Sequence, residues 1–140
     1  MASNHLVIRS DHWNRMLGHV LVCLPEEACG VLGGRDGQVE QVALVTNRLH
    51  SPVRFQMAPE EQLRAFQQIE AQGLEIIAFF HSHPTGPPFP SETDRREFAY
   101  PGVLALIWSP EKNGWQARAF QLDGGEVVET PLVRIFDGQP

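Results

Sequence analysis

Residues 75–81, EIIAFFH, are apolar at every position from 76 to 80. A half-buried strand alternates polar and apolar residues, and an amphipathic helix leaves polar gaps at a period near 3.6. A short unbroken run fits neither pattern. It fits a strand with both faces covered, in the centre of a sheet. VLALIWS, residues 103–109, has the same character. Two such strands need layers above and below them, and the rest of the chain must supply those layers.

Helices can do so. Trp13, Met16, Leu17, Val20, Leu21 and Leu24 recur at helical spacing as one apolar stripe, with Ser10 or Asp11 as cap and Pro25 as stop. A second helix is expected to start near Pro59, carry Leu63, Phe66 and Ile69, and end at Gly73. ACGVLGG and QVEQVALVTN read as strands joined by a turn at GRDG, and VRFQM as a further short strand. WQARAFQL alternates, as a strand nearer an edge should. VETPLVRIF is ambiguous. Strands and helices mix without strict alternation, so the expected fold is α/β: a single-domain mixed β-sheet flanked by helices, spanning residues 1–140.

A chain of 140 residues is one domain by length and can bury a core without disulfides. Its two cysteines, Cys23 and Cys29, match no zinc-knuckle spacing and are expected to be small buried apolar residues. A formal net charge of −6 argues against a nucleic-acid partner. No apolar run approaches the roughly 20 residues of a membrane span, and MASNHLVIRSDHW does not look like a signal peptide. A soluble protein in a reducing cytoplasm is expected.

Chemistry concentrates in HSHPTGPPFPSETD, residues 81–94. His81 and His83 are two apart, and on an extended segment such side chains point the same way. Two imidazoles and one carboxylate suit a catalytic zinc, which keeps a fourth position for water. Asp94 could return as that carboxylate through the stiff proline loop. An H-x-H pair alone is a weak signal; a serine and an aspartate at fixed later positions make the set much rarer. A plainer reading is also available. SETD, residues 91–94, resembles a capping box, and the histidines could simply mark a strand reaching solvent. The two readings are compatible, since a capped first turn is a stiff place from which to aim a carboxylate.

The same stretch resembles the JAMM signature, H-x-H, seven residues, then S-x-x-D, of the JAB/MPN metalloprotease family. PEEACGVLGG, residues 25–34, is similar to the family's E-x-C-G-x-L-x-G segment, and FQMAPEEQ to a common connection before its second helix. Together these cover roughly residues 10 to 110. The resemblance implies a cytidine-deaminase-like sandwich and one zinc ion held by His81, His83 and Asp94. It also implies a choice the residues alone leave open between Glu26 and Glu27: the register makes Glu27 the general base. Ser91 would then steady the oxyanion, and Glu27 would move the proton from water to the leaving amine. Such enzymes cleave after the C-terminal Gly-Gly tail of ubiquitin-like or sulfur-carrier proteins. This short chain favours a small carrier over a polyubiquitin chain.

The alternative within the family is a non-catalytic MPN-type protein-binding module, which would need a broken metal set. A RadC-like member fits the EEACG segment less well. An iron(II) oxygenase would place its carboxylate close to the first histidine. His12 and His19 are expected on the surface of the first helix, and His5 and His50 suggest no further cluster. Trp108 and Trp115 are expected in the sheet core, and GGRDG is a turn rather than a phosphate loop.

Overall fold

The computed structural model describes residues 5–98 and 100–136. Its elements are β1 (Leu6–Arg9), α1 (Ser10–Cys23), β2 (Cys29–Arg35), β3 (Gln38–Val45), α2 (Pro59–Ala71) and β4 (Glu75–Ser82). There follow α3 (Glu92–Glu97), β5 (Leu104–Glu111), β6 (Gly114–Asp123), β7 (Glu126–Thr130) and β8 (Leu132–Ile135). One mixed sheet takes the order β7-β6-β5-β4-β2-β3-β1-β8.

EIIAFFH lies at the centre, and neighbouring residues in it face opposite layers. Phe80 joins a core with Trp13, Met16 and Val20 of α1, together with Leu32, Leu106 and Trp108. Phe79 joins a second core with Ala65 and Ile69 of α2, together with Cys29, Val31 and Val45. This explains the unbroken apolar run: each face of β4 has its own helix to meet.

The Asp36–Gly37 turn between β2 and β3 has φ of 53° and 76°, the left-handed pair that a two-residue hairpin requires. β4 and β5 run parallel, His81 opposite Ile107, so the chain must cross over between them. That crossover, residues 83–103, contains the proline loop and α3.

Several expectations needed correction. Neither Ser10 nor Asp11 caps α1: the N-cap is Arg9, without a side-chain bond, and Ser10 Oγ instead donates to Ile135 O at 3.1 Å. The apolar stripes are wider than the buried faces, since Leu21, Leu24 and Leu63 remain exposed. VRFQM is not a strand; only Met57 pairs, in a single bridge with Asn47. The expected surface residues His12 and His19 are both half-buried, and His19 Nε2 lies 3.1 Å from Cys29 O and 3.2 Å from Val45 O. Cys29 is fully buried as expected, whereas Cys23 is only half-buried. Trp108 is buried against Trp13, with ring centroids 4.6 Å apart, and Trp115 packs at the margin of the same core.

The ambiguous C-terminal stretch forms two strands on opposite edges of the sheet. β7 pairs with β6 and β8 pairs in parallel with β1, yet only Pro131 separates them in sequence. The sheet therefore curls until its edges approach at Pro131, whose carbonyl accepts the Leu6 N–H at 2.9 Å. Among the described residues, no helix is long and apolar enough to cross a membrane.

Candidate metal centre

The C-terminal end of β4 carries His81, and the chain is still extended at His83. Both rings are buried, at 3% and 6% exposure. Their Nε2 atoms lie 3.2 Å apart. The crossover brings α3 back over them, and Asp94 Oδ2 lies 3.1 Å from each Nε2. The three atoms thus mark a nearly equilateral triangle. A tetrahedral ion with bonds of about 2.0 Å to such ligands separates them by about 3.3 Å, so the triangle matches one face of a zinc site.

The donor set fits the ion chemically as well. His83 Nδ1 lies 2.8 Å from Pro87 O, to which it can only donate, so in the neutral ring Nε2 carries the lone pair that an ion would take. The ring of His81 is held by Phe55, stacked at 4.4 Å with 21° between planes. Burial would raise Asp94, but hydrogen bonding to His81 and His83 outweighs it and holds the carboxyl well below the usual range. It is an anion at any working pH. Burial lowers His81, which Asp94 only partly offsets. Burial lowers His83 too, but its bonds to Asp94 and Pro87 prevail and raise it.

Glu27 lies beside this triangle. One of its carboxylate oxygens falls within 4.8 Å of the ligating nitrogens of His81 and His83. That set of three could itself be taken for a metal site. Asp94, with Oδ2 3.1 Å from each Nε2 and its carboxyl held ionised, offers a second such set with the same two histidines. Burial pushes Glu27 up to about 8, against the pull of His83 and with the help of Asp94's charge. Glu27 Oε1 is buried without a hydrogen-bond partner among the described residues. Its neighbour Glu26 is half-exposed and pairs with His50 at 3.1 Å. Of the two adjacent acids, Glu27 faces the histidines and Glu26 turns to His50.

Local sequence explains the placement. β2 begins two residues after Glu27, and Cys29 stands opposite His81 in the antiparallel register. Ser82, between the histidines, clasps the intervening residue: its N–H donates to Ala28 O at 3.0 Å and its Oγ accepts from Ala28 N at 2.8 Å. Ser91 is the N-cap of α3, and SETD forms the full capping box. A cavity of ≈ 330 Å³ opens beside the triangle, lined by His81, Ser91 and Asp94 and walled by Phe55, Met57 and Phe98. All five residues singled out in the sequence therefore lie around one point. Sequence reasoning missed Asn47, which binds the backbone on the far side of Glu27. An asparagine where a strand gives way to a polar loop was its only sign.

A sequence profile of the prokaryotic homologs of the JAB domain matches residues 9–123. The desampylase of Pyrococcus furiosus is 41% identical over 111 residues, 79% of each chain. The CysO-cysteine peptidase of Mycobacterium tuberculosis is 31% identical over 130 residues, 91% of this chain and 89% of that one. A solution structure of a protein from Desulfitobacterium hafniense superposes with a TM-score of 0.85 at 34% identity, covering 94% of both chains. With the profile spanning most of the sequence, the chain belongs to the family of prokaryotic JAB-domain proteins.

Proposed function

We propose that this protein is a zinc-dependent peptidase. Its substrate is the amide bond that follows the C-terminal Gly-Gly tail of a small ubiquitin-like or sulfur-carrier protein. The observation that carries this reading is the 3.1–3.2 Å triangle of His81, His83 and Asp94 beside a buried, unpartnered Glu27 oxygen. The relatives named desampylase and CysO-cysteine peptidase support the substrate class.

His81, His83 and Asp94 would hold the ion. Bound there, zinc supplies Lewis acidity, acidifying water and polarising a carbonyl. Glu27 takes the proton from the attacking water and delivers it to the leaving nitrogen. Its position suits this work: one carboxylate oxygen lies within 4.8 Å of ring nitrogens of His81 and His83, and Oε1 has no hydrogen-bond partner among the described residues. Ser91 Oγ accepts the Asp94 N–H at 3.0 Å, which leaves its own hydrogen free to donate. It can meet the carbonyl oxygen as negative charge develops. A Gly-Gly tail suits the approach, because only glycine lets a backbone come so close. Two cysteines kept as thiols fit action in a reducing cytoplasm.

The test is to incubate the zinc-loaded protein with small β-grasp proteins bearing C-terminal extensions and to weigh the products. Cleavage directly after Gly-Gly, absent with Glu27→Gln, is expected. Equal cleavage by the Gln variant, or none by the wild type on any such protein, would overturn the proposal.

A further inference from the structure

Asn47 follows β3 and is 5% exposed. Its side chain uses both of its ends. Nδ2 donates to Glu27 O at 3.1 Å, to Arg54 O at 3.0 Å and, more distantly, to Ser51 O at 3.5 Å. Oδ1 accepts the N–H groups of Leu49 and Gln56, both at 3.1 Å. The Glu27 N–H is held as well, donating to Ser51 O at 2.8 Å. The backbone of Glu27 is thus fixed on both sides by one side chain and the loop that this side chain organises. The same loop carries Phe55, which stacks on His81.

This arrangement addresses a specific difficulty. Glu27 is buried and its Oε1 finds no hydrogen-bond partner among the described residues that could aim the carboxylate. Glu27 also precedes β2, outside the sheet's hydrogen-bond ladder. The carboxylate is therefore positioned through its own backbone. Two side chains hold the stretch from residue 27 to 28, Ser82 gripping Ala28 and Asn47 gripping Glu27, and Ser51 O takes the Glu27 N–H. We infer that Asn47 is a positioning residue for the proposed base, acting through the Glu27 carbonyl and the 51–56 loop rather than touching substrate. This rests on Glu27 having the role given above, but the structural half of the claim can be judged without any substrate.

The experiment compares Asn47→Ala with Ser51→Ala in the zinc-loaded full-length chain. Ser51 Oγ accepts the N–H groups of Val53 and Arg54, so its loss removes two contacts within the loop and leaves every bond of Asn47 to Glu27 O, Ser51 O and Arg54 O in place. Orienting partners of this kind are typically worth about 10- to 100-fold in activity. We expect kcat for Asn47→Ala to fall by that factor, with KM changed by less than about threefold and zinc content retained. Ser51→Ala should keep kcat within about threefold of the wild type. Amide hydrogen exchange, read by NMR, supplies the substrate-free arm. Asn47→Ala should speed exchange at the Glu27 amide by about tenfold or more while leaving Phe80 and His81 protected.

Wild-type exchange at Glu27 in Asn47→Ala would overturn the inference. So would a loss of activity confined to KM, a loss of zinc together with activity, or an equal kcat loss in Ser51→Ala. If the wild type cleaves no β-grasp protein, the proposed function fails and the exchange arm alone decides the role of Asn47.

Discussion

Ser91 and Asp94 cap each other, and the capping oxygen of Asp94 is the one that faces both histidines. Asp94 Oδ2 accepts the Ser91 N–H at 2.9 Å and lies 3.1 Å from His81 Nε2 and His83 Nε2. In return Ser91 Oγ accepts the Asp94 N–H. The capping box of the plain reading is present, and it leaves Asp94 placed as the metal reading requires. The cap fixes the turn that aims the carboxylate. Ser91→Ala should lose about 1 kcal/mol of stability as a cap. It should lose about 100-fold or more in kcat as an oxyanion donor. Ser91→Thr keeps both the hydroxyl and the cap and should stay within about tenfold of the wild type. Steady-state kinetics and thermal unfolding of the two variants separate the effects. An active Ser91→Ala protein would remove the serine from the chemistry.

Asp94→Asn keeps the shape of the carboxylate but not its charge. The amide would offer a neutral oxygen where the proposed divalent ion would need an anion. Zinc affinity should fall by at least about 100-fold, and His83→Ala should behave alike. Metal content after dialysis against a weak chelator measures both. The metal-free variants should still unfold cooperatively, because neither core cluster includes these residues.

Glu27 makes the metal-free protein sensitive to pH in a predictable direction. Its ordinary value is 4.5, and the fold raises it to about 8. Between those values the folded chain holds a proton that the unfolded chain has released. Stability should therefore decline as pH rises from 4.5 towards 8 and level off above it. At about 1.4 kcal/mol per pH unit the loss amounts to roughly 3 kcal/mol by about pH 7. Glu27→Gln removes this slope, so the chelated variant should be the more stable protein at neutral pH. Urea unfolding of both proteins from pH 4.5 to 8 tests the sign. If Glu27 is the proposed base, the same variant should bind zinc nearly as well as the wild type yet hydrolyse nothing.

What the sequence reveals depends on how local the cause is. The two central strands are legible because burial on both faces leaves an unbroken apolar run. The site is legible because H-x-H and S-x-x-D are fixed by the geometry of one strand end and one helix turn. VRFQM misleads for an equally physical reason. Its residues suit a strand, but Asn47 takes the Gln56 N–H and Arg54 O that a neighbouring strand would need. β1 and β8 are hard to read because LVIR and LVRI are short. Each is also stabilised by the other, paired in parallel across about 126 residues of chain (Leu6 with Leu132). Nothing within a local window records such a pairing.

Cys29 sits opposite His81 in the sheet but should be chemically inert. It is fully buried, and burial pushes its thiol up to about 12. Sγ also lies 3.5 Å from Val45 O, to which it donates. At about pH 8 almost no thiolate exists, and alkylation has to wait for unfolding. Cys23, half-buried at the end of α1, should react first. Mass spectrometry of the native protein after iodoacetamide should show a single adduct at Cys23. Prompt labelling of both would mean that the start of β2 at Cys29 opens far more readily than its packing implies.

Gly30, in the E-x-C-G segment, shows why that segment needs a glycine. Gly30 stands opposite Phe80 on β4 and Leu44 on β3. A Cβ there would fall inside the Phe80 ring edge and 2.5 Å from the carbonyl oxygen of Ala43. The ring could swing, but a sheet carbonyl cannot move without breaking its ladder. Gly30→Ala should thus reach the upper end of overpacking costs, about 3 kcal/mol. Trimming the ring should not rescue it: Gly30→Ala with Phe80→Leu should be no more stable than Gly30→Ala alone, because the carbonyl clash remains and a cavity is added. Because Phe80 adjoins His81, the single variant should also bind zinc more weakly. Denaturant titration of the three proteins decides the matter. Full recovery in the double variant would make the ring, rather than the Ala43 backbone, the reason this position has no side chain.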